Sequence, residues 1–140
     1  MKKVLTIILS LFLFGFPYQA VLANQDKEIS AEAAAKAWLH LADDGKYLES
    51  WNEAAAYFKG AVTMESWKKT MQSFRQPLGK VKSREIMSKK FTKVLPGAPD
   101  GEYVVIQFSS SFENKKSAIE TVTPMFDKDG KWRVSGYYIK

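Results

Sequence analysis

Apolar residues repeat every three or four positions up to Gly79 and every second position beyond it, a change from helical to strand period. Ser30 reads as the N-cap of a first helix that ends at Gly45. In it Ala34, Trp38, Leu41 and Ala42 share an apolar face, while Glu32, Lys36, His40 and Asp43 form the opposite, polar stripe. Asn24 to Ile29 is polar and reads as a mobile lead-in. A second helix is predicted from Lys46 to Lys59, with Tyr47, Leu48, Trp51, Ala54, Ala55 and Phe58 at helical spacing and Gly60 as its stop. A third carries Met64, Trp67, Met71, Phe74 and Leu78, interrupted at Gln76-Pro77.

Four strands are then predicted. Val81 to Leu95 changes parity between Ile86 and Met87, the mark of a bulge or bend, and Pro96 to Gly101 is a loop. Glu102 to Phe112 alternates with Val104, Ile106, Phe108 and Phe112 on one side. Ser117 to Phe126 follows a turn at Asn114-Lys115-Lys116, and Asp127-Lys128-Asp129-Gly130 turns the chain into Lys131 to Ile139, with Trp132, Val134 and Tyr138 on one side. Connections this short join antiparallel neighbours. The expected fold class is α+β, with three N-terminal helices packed on a four-stranded antiparallel meander whose twist leaves a cone under the helices.

The first residues stand apart from this pattern. Lys2 and Lys3, the apolar run Val4 to Phe16 and the small-residue site Val21-Leu22-Ala23 make residues 1–23 a signal peptide, cleaved to leave a single domain over residues 24–140. The competing reading is an uncleaved anchor, since Val4 to Ala23 approaches the roughly 20 residues of a membrane span. Gly15, Pro17 and Gln19 weigh against it, and the mature form is expected to have no stable span. The protein is therefore expected to be exported, periplasmic or secreted, and bacterial. No cysteine is present, so the fold is disulfide-free and packing alone must hold it. The formal net charge of +6 loses two units with Lys2 and Lys3, which is ordinary solubility and no nucleic-acid footprint.

The segments Ala37-Trp38-Leu39, Asp44-Gly45-Lys46-Tyr47, Ser50-Trp51, Arg75-Gln76-Pro77-Leu78-Gly79, Leu95 to Tyr103, Glu120-Thr121-Val122 and Gly130 to Val134 occur in an order that resembles the bacterial domain of unknown function 4019 family. The resemblance spans essentially residues 24–140. It implies an exported domain with a cystatin-like or nuclear-transport-factor-2-like fold and brings no activity with it.

No catalytic set, metal site or cofactor motif stands out. His40, the single histidine, lies on the polar stripe, and Asp127 to Gly130 lacks the later bidentate Glu of a calcium loop. Glu120 is more informative, because alternation places it between Ala118 and Val122 on the buried face, where a carboxylate needs a partner. Arg75 and Arg84 are the available cations. Either a Glu–Arg pair fixes helix against sheet, or Glu120 is a ligand-binding or acid–base carboxylate in a pocket. Trp38, Trp51 and Trp67 lie on apolar helix faces and read as core or, alternatively, as pocket lining. With Arg75, Arg84, Glu120 and Tyr138 they form the candidate pocket set. Arg75, Lys80, Lys82, Arg84, Lys89, Lys90 and Lys93 stand against one acid, Glu85; they guard an edge strand or bind an anionic envelope component.

Three functions remain open. The chain is a non-enzymatic exported module for a small apolar or anionic envelope ligand or a protein partner, an enzyme using Glu120, or an obligate homodimer paired through Tyr103, Val105, Tyr137 and Ile139.

Overall fold

The computed structural model describes residues 16–140, so residues 1–15 of the expected signal peptide 1–23 lie outside them. The architecture is α+β: helices come first, and an open antiparallel sheet of order β1-β2-β3-β4 follows. Helix α1 spans Phe16–Asp43, α2 Tyr47–Glu53, α3 Ala56–Ala61 and α4 Met64–Phe74, with a 3-10 turn at Gln76–Leu78. Strands β1 to β4 are Val81–Thr92, Tyr103–Phe112, Lys115–Phe126 and Trp132–Ile139. Among the described residues no helix is long and apolar enough to cross a membrane.

Helix α1 lies across the sheet and buries Ala31, Ala35, Trp38, Leu39 and Ala42. This stripe is turned slightly from the one the sequence predicts. The supposed lead-in from Asn24 to Ile29 is helical, because the sheet holds it: Lys27 pairs with Glu102 at 2.8 Å and the Phe91 amide donates to Glu28 at 3.3 Å. Ser30 is accordingly interior to the helix rather than its cap. The space between α1 and the sheet is filled by Trp38, Leu39, Ile106, Phe108, Val122 and Val134.

The predicted second helix is two. Ala54 and Ala55 are extended, since the Ala55 amide donates to the Val134 carbonyl at 2.8 Å and the Ala56 amide to Asp127 Oδ2 at 2.9 Å. The break ties this connection to β4, and Leu48 ends up exposed. Helix α4 begins at Thr63, whose hydroxyl accepts from the Ser66 amide, and buries Trp67 and Met71. Its last apolar residue, Phe74, is 72% exposed.

The sheet contains the predicted irregularity: pairing slips between Ile86 and Ser88, leaving Met87 as the extra residue. A second slip, between Thr123 and Pro124 opposite Ser135, has consequences for the interior. It moves Tyr137 to the helix side and turns Tyr138 outward, so the predicted parity of Tyr138 is corrected. Tyr103 lies buried under the loop that precedes it, its hydroxyl donating to the Pro99 carbonyl at 2.5 Å. Two of the four residues expected on an outward dimer face, Tyr103 and Tyr137, are thus not on one.

Candidate functional site

Glu120 comes from the middle of β3 and is 0% exposed. The register sets its neighbours: Arg84 on β1 faces Ser110 on β2, Ser110 faces Ala118, and Val122 faces Tyr137 on β4. All these side chains except Val122 and Ala118 reach the carboxylate. Oε1 accepts from Arg84 Nε at 2.7 Å and from the Ser110 hydroxyl at 2.6 Å; Oε2 accepts from Arg84 Nη2 at 3.2 Å and from the Tyr137 hydroxyl. Four donors fill the four lone-pair positions of a carboxylate.

The second carboxylate is Asp43, which the sequence places on the polar stripe. It is the fourth member of a column, Ala31, Ala35, Leu39, Asp43, spaced by four residues and facing inward. A negative charge in the last turn of a helix is opposed by the helix dipole, so cations are needed beside it. Arg84 donates to it through Nη1 at 2.8 Å and Nη2 at 2.9 Å, and Arg75 through Nη2 at 3.1 Å. Burial raises the Asp43 pKa, but the hydrogen bonds and charges of Arg84 and Arg75 outweigh it and hold the carboxyl below its ordinary range.

Arg84 is therefore the bridge between α1 and β3. Desolvation opposes its charge, and the two carboxylates more than restore it. Burial first, then the Glu120 charge, push the Tyr137 phenol well above its ordinary value. Arg75, 2% exposed, lies over the Phe112 ring at 4.6 Å and donates Nη1 to the Gly79 carbonyl at 2.7 Å; among the described residues its Nε has no acceptor. Of the two arginines the sequence offers to Glu120, Arg75 does not pair with it. The pair is Arg84–Glu120, and Arg75 serves Asp43. An acid–base role would require one carboxylate to exchange protons with a substrate; Glu120 is saturated by four internal donors, while Asp43 accepts three.

The tryptophans are satisfied in the same way. Ser50, fully buried, accepts Trp67 Nε1 on its hydroxyl at 2.9 Å and Trp38 Nε1 on its carbonyl at 2.8 Å, while half-buried Trp51 donates to the Val62 carbonyl at 2.7 Å. Trp38 meets Trp67 at 6.0 Å and Tyr137 at 5.2 Å between ring centres. Trp38 and Trp51 belong to the packed interior and its margin.

Of the open clefts around this interior, two border the charge network and α4. One, of about 610 Å³, lies at the end of α1 among mixed charges that include Asp43, Lys46, Glu49, Lys68, Arg75 and Glu113. The other, of about 450 Å³, is an apolar groove between α4 and the end of β4. Trp67, Met71, Phe74, Leu78, Tyr137 and Ile139 form its walls, and Tyr138, 59% exposed, stands at its rim. Of the candidate pocket set, Trp67, Arg75 and Tyr138 line this groove; Arg84 and Glu120 lie behind it, and Trp38 and Trp51 do not reach it. Met71, Phe74, Leu78, Tyr137 and Ile139 were not in that set. Their spacing marks them as apolar, but the groove exists only because β4 returns beside α4. Among the described residues no group of three or more metal-type side chains comes together.

Comparison with the curated proteins finds no match. Among solved structures, one from Catenulispora acidiphila superposes with a TM-score of 0.51 at 12% identity, covering 88% of this chain and 93% of that one. That likeness is one of fold. The family model described as Protein of unknown function (DUF4019) matches residues 34–137, a span holding Asp43, Arg75, Arg84, Glu120 and Tyr137, and the chain belongs to that family.

Proposed function

We propose that this protein is a non-enzymatic exported binding module whose ligand, a small apolar or amphipathic molecule, lies in the groove between α4 and β4. The observation that carries the proposal is a contrast. Glu120, the buried carboxylate that could do chemistry, is consumed by internal hydrogen bonds, whereas an apolar groove of about 450 Å³ stays open beside it with Phe74 72% exposed at its wall. That volume lies within the roughly 300–1,000 Å³ of small-molecule sites. An exposed phenylalanine next to Tyr138 and Ile139 has no role in the core, and apolar surface of this kind is removed from water when a ligand covers it.

Export is part of the same reading. Tyr18, Val21 and Leu22 are exposed on the first turns of α1, and among the described residues Lys27 is the first side chain of the helix hydrogen-bonded to the sheet region. Tyr18, Val21 and Leu22 lie outside the core, so their loss with the signal segment removes apolar surface from water.

The neutral fluorophore N-phenyl-1-naphthylamine tests the groove. Its emission is expected to rise saturably at one dye per chain, and Phe74→Asp is expected to abolish the rise with an unchanged circular dichroism spectrum. No enhancement, or equal enhancement in the variant, contradicts the proposal.

A further inference from the structure

We infer that the ligand of the α4–β4 groove is an anionic amphiphile, an alkyl chain ending in a carboxylate or another singly charged acidic head, whose head is held by Lys115 and Lys140. The inference rests on the groove being the binding site and names what binds there.

The groove has two chemically different ends. At one end are Trp67 and Tyr137, both packed on Trp38. At the other, the 3-10 turn after α4 meets the β2–β3 hairpin: the Asn114 amide donates to the Leu78 carbonyl at 3.0 Å and Asn114 Nδ2 to the Pro77 carbonyl at 2.9 Å. This contact brings Leu78 beside Lys115, while β4, running from Tyr137, delivers Lys140, whose amide donates to the Ile119 carbonyl at 2.9 Å. An apolar floor therefore runs from aromatic rings to two lysines.

Charge then selects the occupant. No Asp or Glu lines the groove, and neither Lys115 nor Lys140 takes part in an ion pair among the described residues. Lys27, Lys36, Lys69 and Lys89 are each paired with a carboxylate. Arg75, at the same end, is neutralised by Asp43 but, among the described residues, keeps Nε without an acceptor. A neutral amphiphile leaves both lysines as they are, and a cationic one is repelled. An acidic head brings a counter-charge to both while its chain covers Met71, Phe74 and Ile139.

Displacement of bound N-phenyl-1-naphthylamine by decanoate, decyl maltoside and decyltrimethylammonium, each below its micelle-forming concentration, separates the possibilities. Decanoate is expected to displace the dye at a several-fold lower concentration than the maltoside, since exposed charge pairs contribute only modestly. The cation is expected to be weakest. The advantage of decanoate is expected to vanish in Lys115→Glu/Lys140→Glu, whose sites are exposed and leave the core intact, and to fall as salt is raised. Equal displacement by all three amphiphiles overturns the acidic head and leaves the groove standing as a binding site. A decanoate preference that survives the double substitution also overturns it. Absence of dye binding removes the groove itself.

Discussion

Among single residues, Arg84 carries the largest consequence. It donates to two carboxylates from two different elements, so its removal leaves Asp43 and Glu120 facing one another across a water-poor space. Breaking a buried ion pair by deleting one partner costs about 3–5 kcal/mol, and Arg84→Met is expected to lower unfolding stability by that amount in urea at neutral pH. The same network predicts a pH dependence. The Asp43 pKa is lower in the folded than in the unfolded chain, so its contribution is present above the unfolded value near 4 and is lost as pH falls through the folded value. The stability difference between the native sequence and Asp43→Asn is expected to shrink on acidification through that window. A gap that stays constant down to pH 2 contradicts this. The burial of Glu120 was legible from strand alternation alone, because Ala118 and Val122 flank it at a spacing of two. Its partner was not. Arg75 and Arg84 are equivalent in sequence, and only the register of β1 on β2 and β2 on β3 puts Arg84 across from Ser110 and within reach.

At the scale of elements, what holds α4 to the sheet is a turn with an unusual backbone. Gly79 has φ 75° and ψ −157°, a conformation open to glycine, and a Cβ there would lie 3.0 Å from Glu113 Cβ. Its carbonyl accepts Arg75 Nη1, so backbone strain and the charge network meet at this position. Gly79→Ala is expected to cost about 1–3 kcal/mol from the forced conformation, read as a lower thermal midpoint. An unchanged midpoint contradicts the account of this turn. The four strands and the change from helix to sheet near Gly79 were placed by period, and the bulge at Met87 by its change of parity. Two features were hidden for identifiable reasons. The break at Ala54-Ala55 is imposed by Val134 and Asp127, far away in sequence, against residues that favour helix. The slip at Ser135 is silent because Tyr137 and Tyr138 are both aromatic and either could be the inward one.

For the molecule as a whole, the helices and sheet close on a filled interior whose charges are internally balanced, and an open apolar groove lies to one side, between α4 and β4. Neither element shows this alone: Trp67 and Ile139 are neighbours only after the sheet has brought the chain back. The exposed apolar start of α1 belongs to this scale too. Removal of residues 1–23 is expected to leave the thermal midpoint unchanged, and the protein recovered from cells is expected to begin at Asn24 by mass spectrometry of its N-terminus. An intact Met1 on the exported or membrane-associated protein contradicts cleavage.

The central claim is that the groove, and not the Glu120 network, receives a ligand. Methyl-resolved NMR with N-phenyl-1-naphthylamine addresses it directly, because Met71, Leu78 and Ile139 line the groove while Ile86 and Val104 pack elsewhere on the helix side of the sheet. The account predicts saturable shifts confined to the methyl groups of Met71, Leu78 and Ile139. Shifts centred on Ile86 and Val104 instead, or no shift at saturating dye, would contradict it.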